Sequence, residues 1–388
     1  MNKSPRKLLL RDARIVLANE IIEGSMLIED EHIVYVGQNQ TGLAADAESL
    51  ALDGLTVMPG FIDVHIHGAV GVDVMEASAD GLLEISAYLA TQGVTGWLAT
   101  LVPGSDENYA GVSAAVAAAM NSTEGARVLG IHYEGPFVNS AQCGALHTEY
   151  FKSYSGPQDL DALPVPENCV HMITMAPEVS GGVELARELT RRGWVISIGH
   201  TRADLQVLED ACAAGARHMT HFMNAMVPLH HRSPGPIAWG LSRDDVTVDL
   251  IADGVHVDPF MLRVLMKIKG ANGISLISDA IAAAGKGDGD YQIWGETITV
   301  KNGRTANAKG SIAGSVISML DAVNLLHSLG VPYTDLGRMA SSNPAKLLGV
   351  DRDRGSIEVG KRADLVALDH DGNVKLTLIG GRSVPNLH

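Results

Sequence analysis

Short apolar segments that alternate with polar residues fill both ends of the chain. In the first 60 residues they read LLLRDARIVLA, SMLIED, HIVYVG and LTVMPG, and turn-forming residues separate them. The chain after residue 346 shows the same alternation of apolar and polar residues in GSIEVG, ADLVALD and VKLTLIGG. Alternation of this kind predicts strands, and we expect residues 1–57 and 346–388 to meet in one small β-sandwich domain.

Between residues 58 and 345, strand-like and helix-like segments alternate. The strand candidates are FIDVHIHG, GWLATLV, RVLGIHYEG, VHMITMAPE, WVISIGHT, RHMTHFMNA, VDLIADGVH and ISLISDA. The helix candidates span residues 80–92, 106–120, 182–192, 203–214, 258–269 and 316–329. Eight strands that alternate with helices are typical of a parallel α/β fold, and eight such strands close a barrel. We therefore predict a (β/α)₈ TIM-like barrel over residues 58–345.

Charge and cysteine content narrow the classes of protein that fit this architecture. The net charge is −16, from 29 basic and 45 acidic side chains, which argues against nucleic acid as a partner because binding to phosphate backbones needs a basic surface. No segment approaches the roughly 20 apolar residues of a membrane span. The three cysteines form no CxxC pair, so we expect no disulfide framework and a reducing, cytoplasmic location.

Metal-binding and acidic side chains stand at the C-terminal ends of the candidate strands, which is where barrel active sites lie. His65 and His67 are two residues apart on one strand, so both rings point to the same side and can bind one ion. An isolated HxH pair supports a metal only weakly, and two hydrogen-bonded histidines at a strand end are the alternative.

Three further strand ends strengthen the metal interpretation. Glu134 ends an apolar strand, where a carboxylate is costly unless it is paired or bound to a cation, and we favour metal binding over an ion pair with an arginine. His200 and His221 end two successive strands. Each histidine alone is more often a hydrogen-bonded core residue, but two of them beside Glu134 indicate a metal site.

Asp279 ends the apolar segment ISLISDA, so we expect it to contact a cation or to transfer protons. The candidate ligands are therefore imidazoles and carboxylates without a thiolate, namely His65, His67, Glu134, His200, His221 and Asp279. This set suits Zn²⁺, Fe²⁺, Mn²⁺ or Co²⁺ and does not choose among them. It has more ligands than one four-coordinate ion needs, so one ion or two ions bridged by Glu134 fit it.

The chain resembles the N-acetylglucosamine-6-phosphate deacetylases of the amidohydrolase superfamily over almost its whole length. The resemblance is carried by PGFIDVHIHG, GIHYEGPF, ISIGHT, THFMNAM, HHRSPG, IADGVHVDP, SDAI, GSIAGS, NPAKLLG and GSIEVGKRADLVALD. Many amidohydrolases share the first and last of these, whereas EGPF, THFMNAM and DGVHVDP are more specific to the deacetylases. The resemblance implies hydrolysis of N-acetylglucosamine 6-phosphate to glucosamine 6-phosphate and acetate.

The resemblance also implies the metal ligands. By it, Glu134, His200 and His221 bind the main ion. His65 and His67 match the members that carry HxH at this place, where the pair can bind a second ion; other members lack the pair.

Five further residues take their roles from the resemblance. Asp279 corresponds to the catalytic acid and base, and Asn224 and the backbone of Ala225 to contacts with the substrate phosphate. His256 corresponds to a histidine that binds the sugar or the phosphate. Arg232 matches an arginine that reaches the phosphate across a dimer interface, which implies a homodimer; without the resemblance, a solvated loop arginine is the simpler interpretation.

One position departs from the family pattern. The family carries His or Gln directly after the Gly-Ala or Gly-Thr that follows EGP, and that residue contacts the substrate carbonyl. Here Leu146 occupies the place and His147 comes one residue later. Either the loop shifts so that His147 reaches the substrate, or the pocket for the acyl group or the sugar differs.

Three other functions compete with this one. An N-acetylgalactosamine-6-phosphate deacetylase differs only in the orientation of one hydroxyl. Another amidohydrolase could act on an N-acyl or cyclic amide, although ring-hydrolysing relatives usually carry a carboxylated lysine where Glu134 stands here. A non-catalytic amidohydrolase-like scaffold would be expected to have lost ligands, and all six are present.

Overall fold

The computed structural model describes residues 5–38 and 46–384, so the outermost parts of the predicted small domain, residues 1–4 and 385–388, and its segment 39–45 lie outside the described residues. In chain order the strands are β1 Lys7–Val16, β2 Ile21–Glu29, β3 His32–Gly37, β4 Glu48–Ala51, β5 Thr56–Pro59, β6 Phe61–Ile66, β7 Gly68–Ala69, β8 Val72–Asp73, β9 Val94–Leu101, β10 Arg127–Glu134, β11 Val170–Met175, β12 Val195–Ile198, β13 His218–Met219, β14 Thr247–Ile251, β15 Ile274–Ile277, β16 Gly289–Ile293, β17 Glu296–Lys301, β18 Arg304–Ala306, β19 Leu365–Leu368, β20 Val374–Ile379 and β21 Arg382–Ser383.

The α-helices are α1 Ala79–Thr91, α2 Asp106–Ala119, α3 Gly182–Arg191, α4 Leu205–Ala213, α5 Pro236–Ser242, α6 Pro259–Lys269, α7 Met319–Ser328, α8 Tyr333–Gly337 and α9 Asn343–Leu347. Side-chain caps begin several of them, because a hydroxyl or carboxylate can accept a hydrogen bond from an otherwise unpaired N–H group of the first turn. Ser78 accepts from Gly81 before α1, and Ser318 and Asp321 form a reciprocal capping box at α7. Within the described ranges, none of these helices has the length and apolar character needed to cross a membrane.

Eight parallel strands form the main sheet, in the order β6, β9, β10, β11, β12, β13, β14, β15. The first and last of these strands meet at their C-terminal ends. There, the N–H of Asp279 donates to the carbonyl of His65 over 2.9 Å, and the N–H of His67 donates to that of Ala280 over 2.8 Å. Ile66 and Ala280 also form a parallel bridge. The sheet is thereby closed into the predicted (β/α)₈ barrel.

Both ends of the chain share a second sheet, which is the small β-domain expected from the alternating patterns. Its path is β21, β20, β19, β5, β1, β2, β3, and β4 also pairs with β1. A separate apolar cluster drawn from both ends of the chain packs in this domain, including Leu10, Ile15, Ile28, Leu365 and Leu378. The strand β5 pairs with β1 and β19 of this sheet and extends beyond residue 57, the predicted end of the first segment of the small domain. The exact domain limits therefore stay a prediction.

Buried positions explain why the barrel strands read as continuous apolar runs. Every residue of β6 and of β9 is buried, because the helices cover one face of the sheet and the barrel interior covers the other. The six helices predicted from periodicity correspond to α1, α2, α3, α4, α6 and α7, with ends within three residues of the expected ones. The periodicity of the sequence did not predict the short helices α5, α8 and α9 or the antiparallel sheet β16–β18.

Candidate metal centre

A pocket of about 150 Å³ opens where the barrel strands end. Its lining includes His67, Glu134, Leu146, His200, His221, Asn224, Ala225, His256, Asp279, Trp294 and Ile312. A larger cavity of about 320 Å³ lies against the small domain, with Val16, Pro59 and Lys346 in its wall, and contains none of the candidate residues. The size of a cavity therefore does not mark the site, whereas the placement of polar side chains at the strand ends does.

Glu134, His200 and His221 converge into one group at the floor of this pocket. The Oε1 atom of Glu134 lies 2.9 Å from the Nε2 atoms of both histidines, and these two nitrogens are 3.1 Å apart. All three side chains are buried. They come from the ends of β10, β12 and β13, so the closure of the barrel brings them together.

His65, His67 and Asp279 form a second group beside the first. The Nε2 atoms of the two histidines are 3.0 Å apart, and the Oδ1 atom of Asp279 lies 3.5 Å and 3.3 Å from them. The carboxylate of Glu134 stands between the two groups, since its Oε2 atom is 3.3 Å from the Nε2 atom of His67. This is the position that a ligand bridging two ions would occupy.

The donor atoms fit a divalent metal ion. Two imidazole nitrogens 3.0 Å apart can share at most one proton, so paired nitrogens that both face carboxylate oxygens are better satisfied by a cation. The Nδ1 atom of His200 lies 2.7 Å from the carbonyl of Gln142, an arrangement that fixes the ring with its Nε2 lone pair turned toward the group. Nitrogen and carboxylate ligands without sulfur suit Zn²⁺, Fe²⁺, Mn²⁺ and Co²⁺.

The electrostatics of the pocket favour positive charge at its floor. Burial raises the pKa of Glu134, but the charge of His65 and hydrogen bonds from His200 and His221 outweigh burial and hold that pKa well below its usual value. Burial lowers the pKa of His67, yet hydrogen bonds to Asp279 and Glu134 raise it to about 10. For Asp279, burial is likewise outweighed by the neighbouring histidines, and its pKa is lowered. The carboxylates therefore stay ionised at neutral pH.

The backbone at the strand ends turns the ligands into the pocket. Positive φ angles occur at His200 (48°), His221 (31°), Ala225 (51°) and Asp279 (51°), although none of these residues is a glycine. Such angles cost roughly 1–2 kcal/mol per residue, so the surrounding structure must hold them. At His200, His221 and Asp279 the strained backbone thus lies where the chain leaves the barrel.

Three of the five predicted substrate contacts line the same pocket, namely Asn224, Ala225 and His256. The Nδ2 atom of Asn224 is buried and has no hydrogen-bond partner within residues 5–38 and 46–384, so it is free to donate to a ligand. The Nδ1 atom of His256 lies 2.6 Å from the Oδ2 atom of Asp253, which orients the ring toward the pocket. These groups form a polar wall beside the candidate metal ligands.

The structure does not bring His147 into the pocket. Its Nε2 atom lies 2.9 Å from the carbonyl of Trp294, and its Nδ1 atom lies 3.2 Å from Glu149. Leu146, which is 7% exposed, lines the pocket instead. The buried apolar side chain of Leu146 thus takes the inward position, and the contact of His147 with the substrate stays a prediction.

Arg232 also lies outside the pocket of its own chain. It is exposed on the loop that follows Ala225, and its Nη1 atom is 3.0 Å from the Nε2 atom of His231. Its predicted role across a dimer interface stays a prediction.

Trp294 is a pocket residue that was not predicted from the sequence. It occupies the turn between β16 and β17, and its ring stands edge-on to that of His67, with 5.2 Å between the centroids. The turn residues Trp294-Gly295 between two alternating runs, GDYQI and ETITVK, are a hairpin signal that could have revealed the element. Nothing in the pattern indicates that the hairpin reaches the strand ends.

Known proteins resemble the chain throughout its length. The amidohydrolase family matches residues 56–384. The N-acetylglucosamine-6-phosphate deacetylase of Bacillus subtilis is 37% identical, with 96% of each chain covered. The N-acetylgalactosamine-6-phosphate deacetylase of Escherichia coli O157:H7 is 35% identical over 85% of this chain and 88% of its own.

A solved structure has a fold that closely matches that of this chain. It is a mutant N-acetyl-D-glucosamine-6-phosphate deacetylase of Mycobacterium smegmatis in complex with N-acetyl-D-glucosamine 6-phosphate. Its TM-score is 0.89 at 32% identity, and the match covers 99% of this chain and 100% of that one. The chain therefore belongs to the amidohydrolase family and, within it, to the family of the N-acetylglucosamine-6-phosphate deacetylases.

Proposed function

We propose that the protein is a metal-dependent deacetylase that hydrolyses N-acetylglucosamine 6-phosphate to glucosamine 6-phosphate and acetate. The observation that carries this proposal is the convergence of two ligand groups, Glu134 with His200 and His221 and His65 with His67 and Asp279, beside a polar wall. The full-length similarity to deacetylases of phosphorylated amino sugars supports the substrate class.

In this proposal Glu134, His200 and His221 hold the main divalent ion, and His65, His67 and Asp279 provide a second, adjoining site. Zn²⁺, Fe²⁺, Mn²⁺ and Co²⁺ all suit these donors, and either one or two ions fit. A bound ion of this kind supplies a water molecule with a pKa near 7 and polarises the acetamide carbonyl.

Asp279 is the proposed proton carrier. Its lowered pKa keeps the carboxylate ionised at neutral pH, so it can accept the proton of the attacking water. Its Oδ1 atom faces the two histidines of its group, which leaves Oδ2 as the oxygen that takes the proton. The same oxygen then returns the proton to the departing nitrogen, because an amine anion is too poor a leaving group.

The polar wall is proposed to bind the rest of the substrate. The free Nδ2 atom of Asn224, the backbone of Ala225 and the ring of His256 can donate to phosphate or sugar oxygens. Arg232 would reach the phosphate in the pocket of a second copy, so a homodimer is part of the proposal. Binding energy at these groups orients the acetamide for attack.

The galacto epimer is the second candidate substrate, because a deacetylase of N-acetylgalactosamine 6-phosphate is almost as similar to this chain as the glucosamine enzymes are. We also propose a cytoplasmic location, which the three free thiols of Cys143, Cys169 and Cys212 support.

The experiment is acetate release from the metal-loaded protein with four compounds, namely both epimers with and without the 6-phosphate. We expect the highest kcat/KM for N-acetylglucosamine 6-phosphate. A higher value for the galacto epimer would change the substrate and keep the chemistry. Absence of acetate from all four compounds with every metal of the set would refute the deacetylase proposal.

A further inference from the structure

A carboxylate that does not reach the pocket holds together the loops that shape it. Glu178 follows β11 and accepts three hydrogen bonds from two other loops of the barrel mouth. Its Oε1 atom accepts from the Nδ2 atom of Asn139 (2.8 Å) and the N–H of Arg202 (2.6 Å), and its Oε2 atom accepts from the hydroxyl of Thr201 (2.6 Å). Three uncharged donors thus satisfy this carboxylate.

All three donor residues are linked to the candidate metal ligand His200, either in sequence or by a hydrogen bond. Thr201 and Arg202 follow it directly, and the N–H of Asn139 donates to the carbonyl of His200 over 3.1 Å. The segment that begins at Asn139 also provides the carbonyl of Gln142, which lies 2.7 Å from the Nδ1 atom of His200. Glu178 therefore restrains the backbone that follows the ligand and the segment that orients its ring.

The backbone of His200 needs this restraint because its conformation is strained. His200 has a φ of 48°, a strained angle that persists only when its surroundings fix it. The network also extends to the polar wall, because the N–H of Thr201 donates to the carbonyl of Ala225 over 3.2 Å. One carboxylate thus connects the candidate metal centre with the candidate phosphate site.

We propose that Glu178 is a positioning residue that sets the orientation of His200, and through it the affinity of the centre for its ion. The part that concerns the ion rests on the proposed function. Loss of a group that orients a metal ligand typically weakens metal binding by about 10-fold to 100-fold. The amide of a glutamine can accept from Asn139 and Arg202 at its one oxygen and can donate to the hydroxyl of Thr201, so E178Q should preserve most of the effect.

The test compares E178A and E178Q with the wild type and with E209A. Glu209 is a matched control, because it also accepts hydrogen bonds from two side chains, those of Trp239 and Arg243, away from the pocket. Co²⁺ affinity is measured by competition with a chelator, together with the visible absorption spectrum of the bound Co²⁺. For E178A we expect about 10-fold to 100-fold weaker binding and a shifted spectrum. E178Q and E209A should bind Co²⁺ like the wild type.

A second readout needs no metal. In the metal-free protein, amide hydrogen exchange should be faster in E178A at residues 139–142 and 200–203 and unchanged there in E209A. If E178A does not fold, T201V replaces it, with T201S as the control that keeps the hydroxyl. Unchanged exchange and unchanged Co²⁺ binding in E178A or T201V would overturn the proposal, as would an E178Q variant as impaired as E178A. Failure of the wild type to bind Co²⁺ would instead refute the proposed function, and exchange would still test the positioning role.

Discussion

Asp279 is buried, and the neighbouring histidines stabilise its charge, which is why we assign it the proton transfer. The D279N substitution keeps the shape and removes the basic oxygen. We expect kcat to fall by about 10²-fold to 10⁴-fold, the usual contribution of a general acid and base. Metal analysis should still find the main ion, because its proposed ligands are Glu134, His200 and His221. A retained rate would remove Asp279 from the mechanism.

Arg232 is exposed in the single chain, so a role in phosphate binding requires a second subunit. Hydrogen bonds to a charged group contribute about 1.5–3 kcal/mol, and R232A should therefore raise KM for the phosphorylated substrate about tenfold or more. KM for the unphosphorylated sugar should stay the same. Arg187, which pairs with Glu184 on α3, provides the control R187A. An equal KM in R232A and R187A would contradict the assignment.

The sequence identified the candidate ligands because each is a polar residue in an otherwise apolar strand, and the cost of burial makes such a residue conspicuous. Glu134 and Asp279 are examples. Trp294 and Glu178 escaped notice because their roles depend on which loops meet at the mouth of the barrel. The sequence left the choice between Leu146 and His147 open, because a motif cannot tell which of two adjacent side chains turns inward.

At the scale of elements, the entry into β6 shows how tightly the barrel is packed. A Cβ atom added to Gly60 would lie 2.2 Å from the Cγ2 atom and 2.5 Å from the Oγ1 atom of Thr95. We expect G60A to lower the free energy of unfolding by about 1–3 kcal/mol, the typical cost of overpacking. Urea unfolding measures the change, and the double variant G60A/T95A should recover part of it, since it removes both of these atoms.

Gly111 provides the matched control for that prediction. It is exposed within α2, and an added Cβ atom would meet no atom within 4 Å. G111A should therefore stabilise the protein by about 0.5–1 kcal/mol, because alanine is favoured over glycine inside a helix. Stabilisation by G60A as well would show that the strand entry is looser than the structure indicates.

The periodicity of the sequence predicted the long helices, but it did not predict the short elements. The helices α1 and α2 have capping serines and full apolar faces, which the sequence displays directly. By contrast β13 has only two residues, and its place in the barrel is fixed by pairing with β12 and β14. The hairpin of β16 and β17 interrupts the βα alternation after β15, so a regular repeat gives no reason to expect it.

At the scale of the whole molecule, contacts between the two chain ends complete the small domain. The backbone of Glu31 and Ile33 exchanges hydrogen bonds with Lys361 and Ala363, and the Nη1 atom of Arg362 lies 2.6 Å from the Oε2 atom of Glu31. The alternation of apolar and polar residues at both ends predicted that they form one small domain. It could not predict the pairing, because alternation does not specify a partner strand.

The ion pair gives this contact a pH dependence. The hydrogen bond from Arg362 holds the pKa of Glu31 below its usual value. Ionised Glu31 therefore stabilises the folded state above the unfolded-state pKa of about 4.3, and the contribution is lost as the pH falls through the lower folded-state value. E31Q should lower stability at pH 7 by at most about 1 kcal/mol, because the pair is partly exposed to solvent. The difference should shrink toward zero in acid.

Thermal unfolding at pH 7 and near pH 3 measures this dependence. E84Q, a change at an exposed glutamate on α1, should alter Tm little at either pH. A destabilisation by E31Q that is equal at both pH values would contradict the ionic origin of the effect.

Every functional statement about the molecule depends on ions bound where the barrel strands end. Anomalous X-ray diffraction from crystals of the protein loaded with Zn²⁺ or Co²⁺ locates such ions directly. We expect a peak within bonding distance of Glu134, His200 and His221, with any second peak at His65, His67 and Asp279. An anomalous map without a peak between Glu134, His200 and His221 would contradict the account.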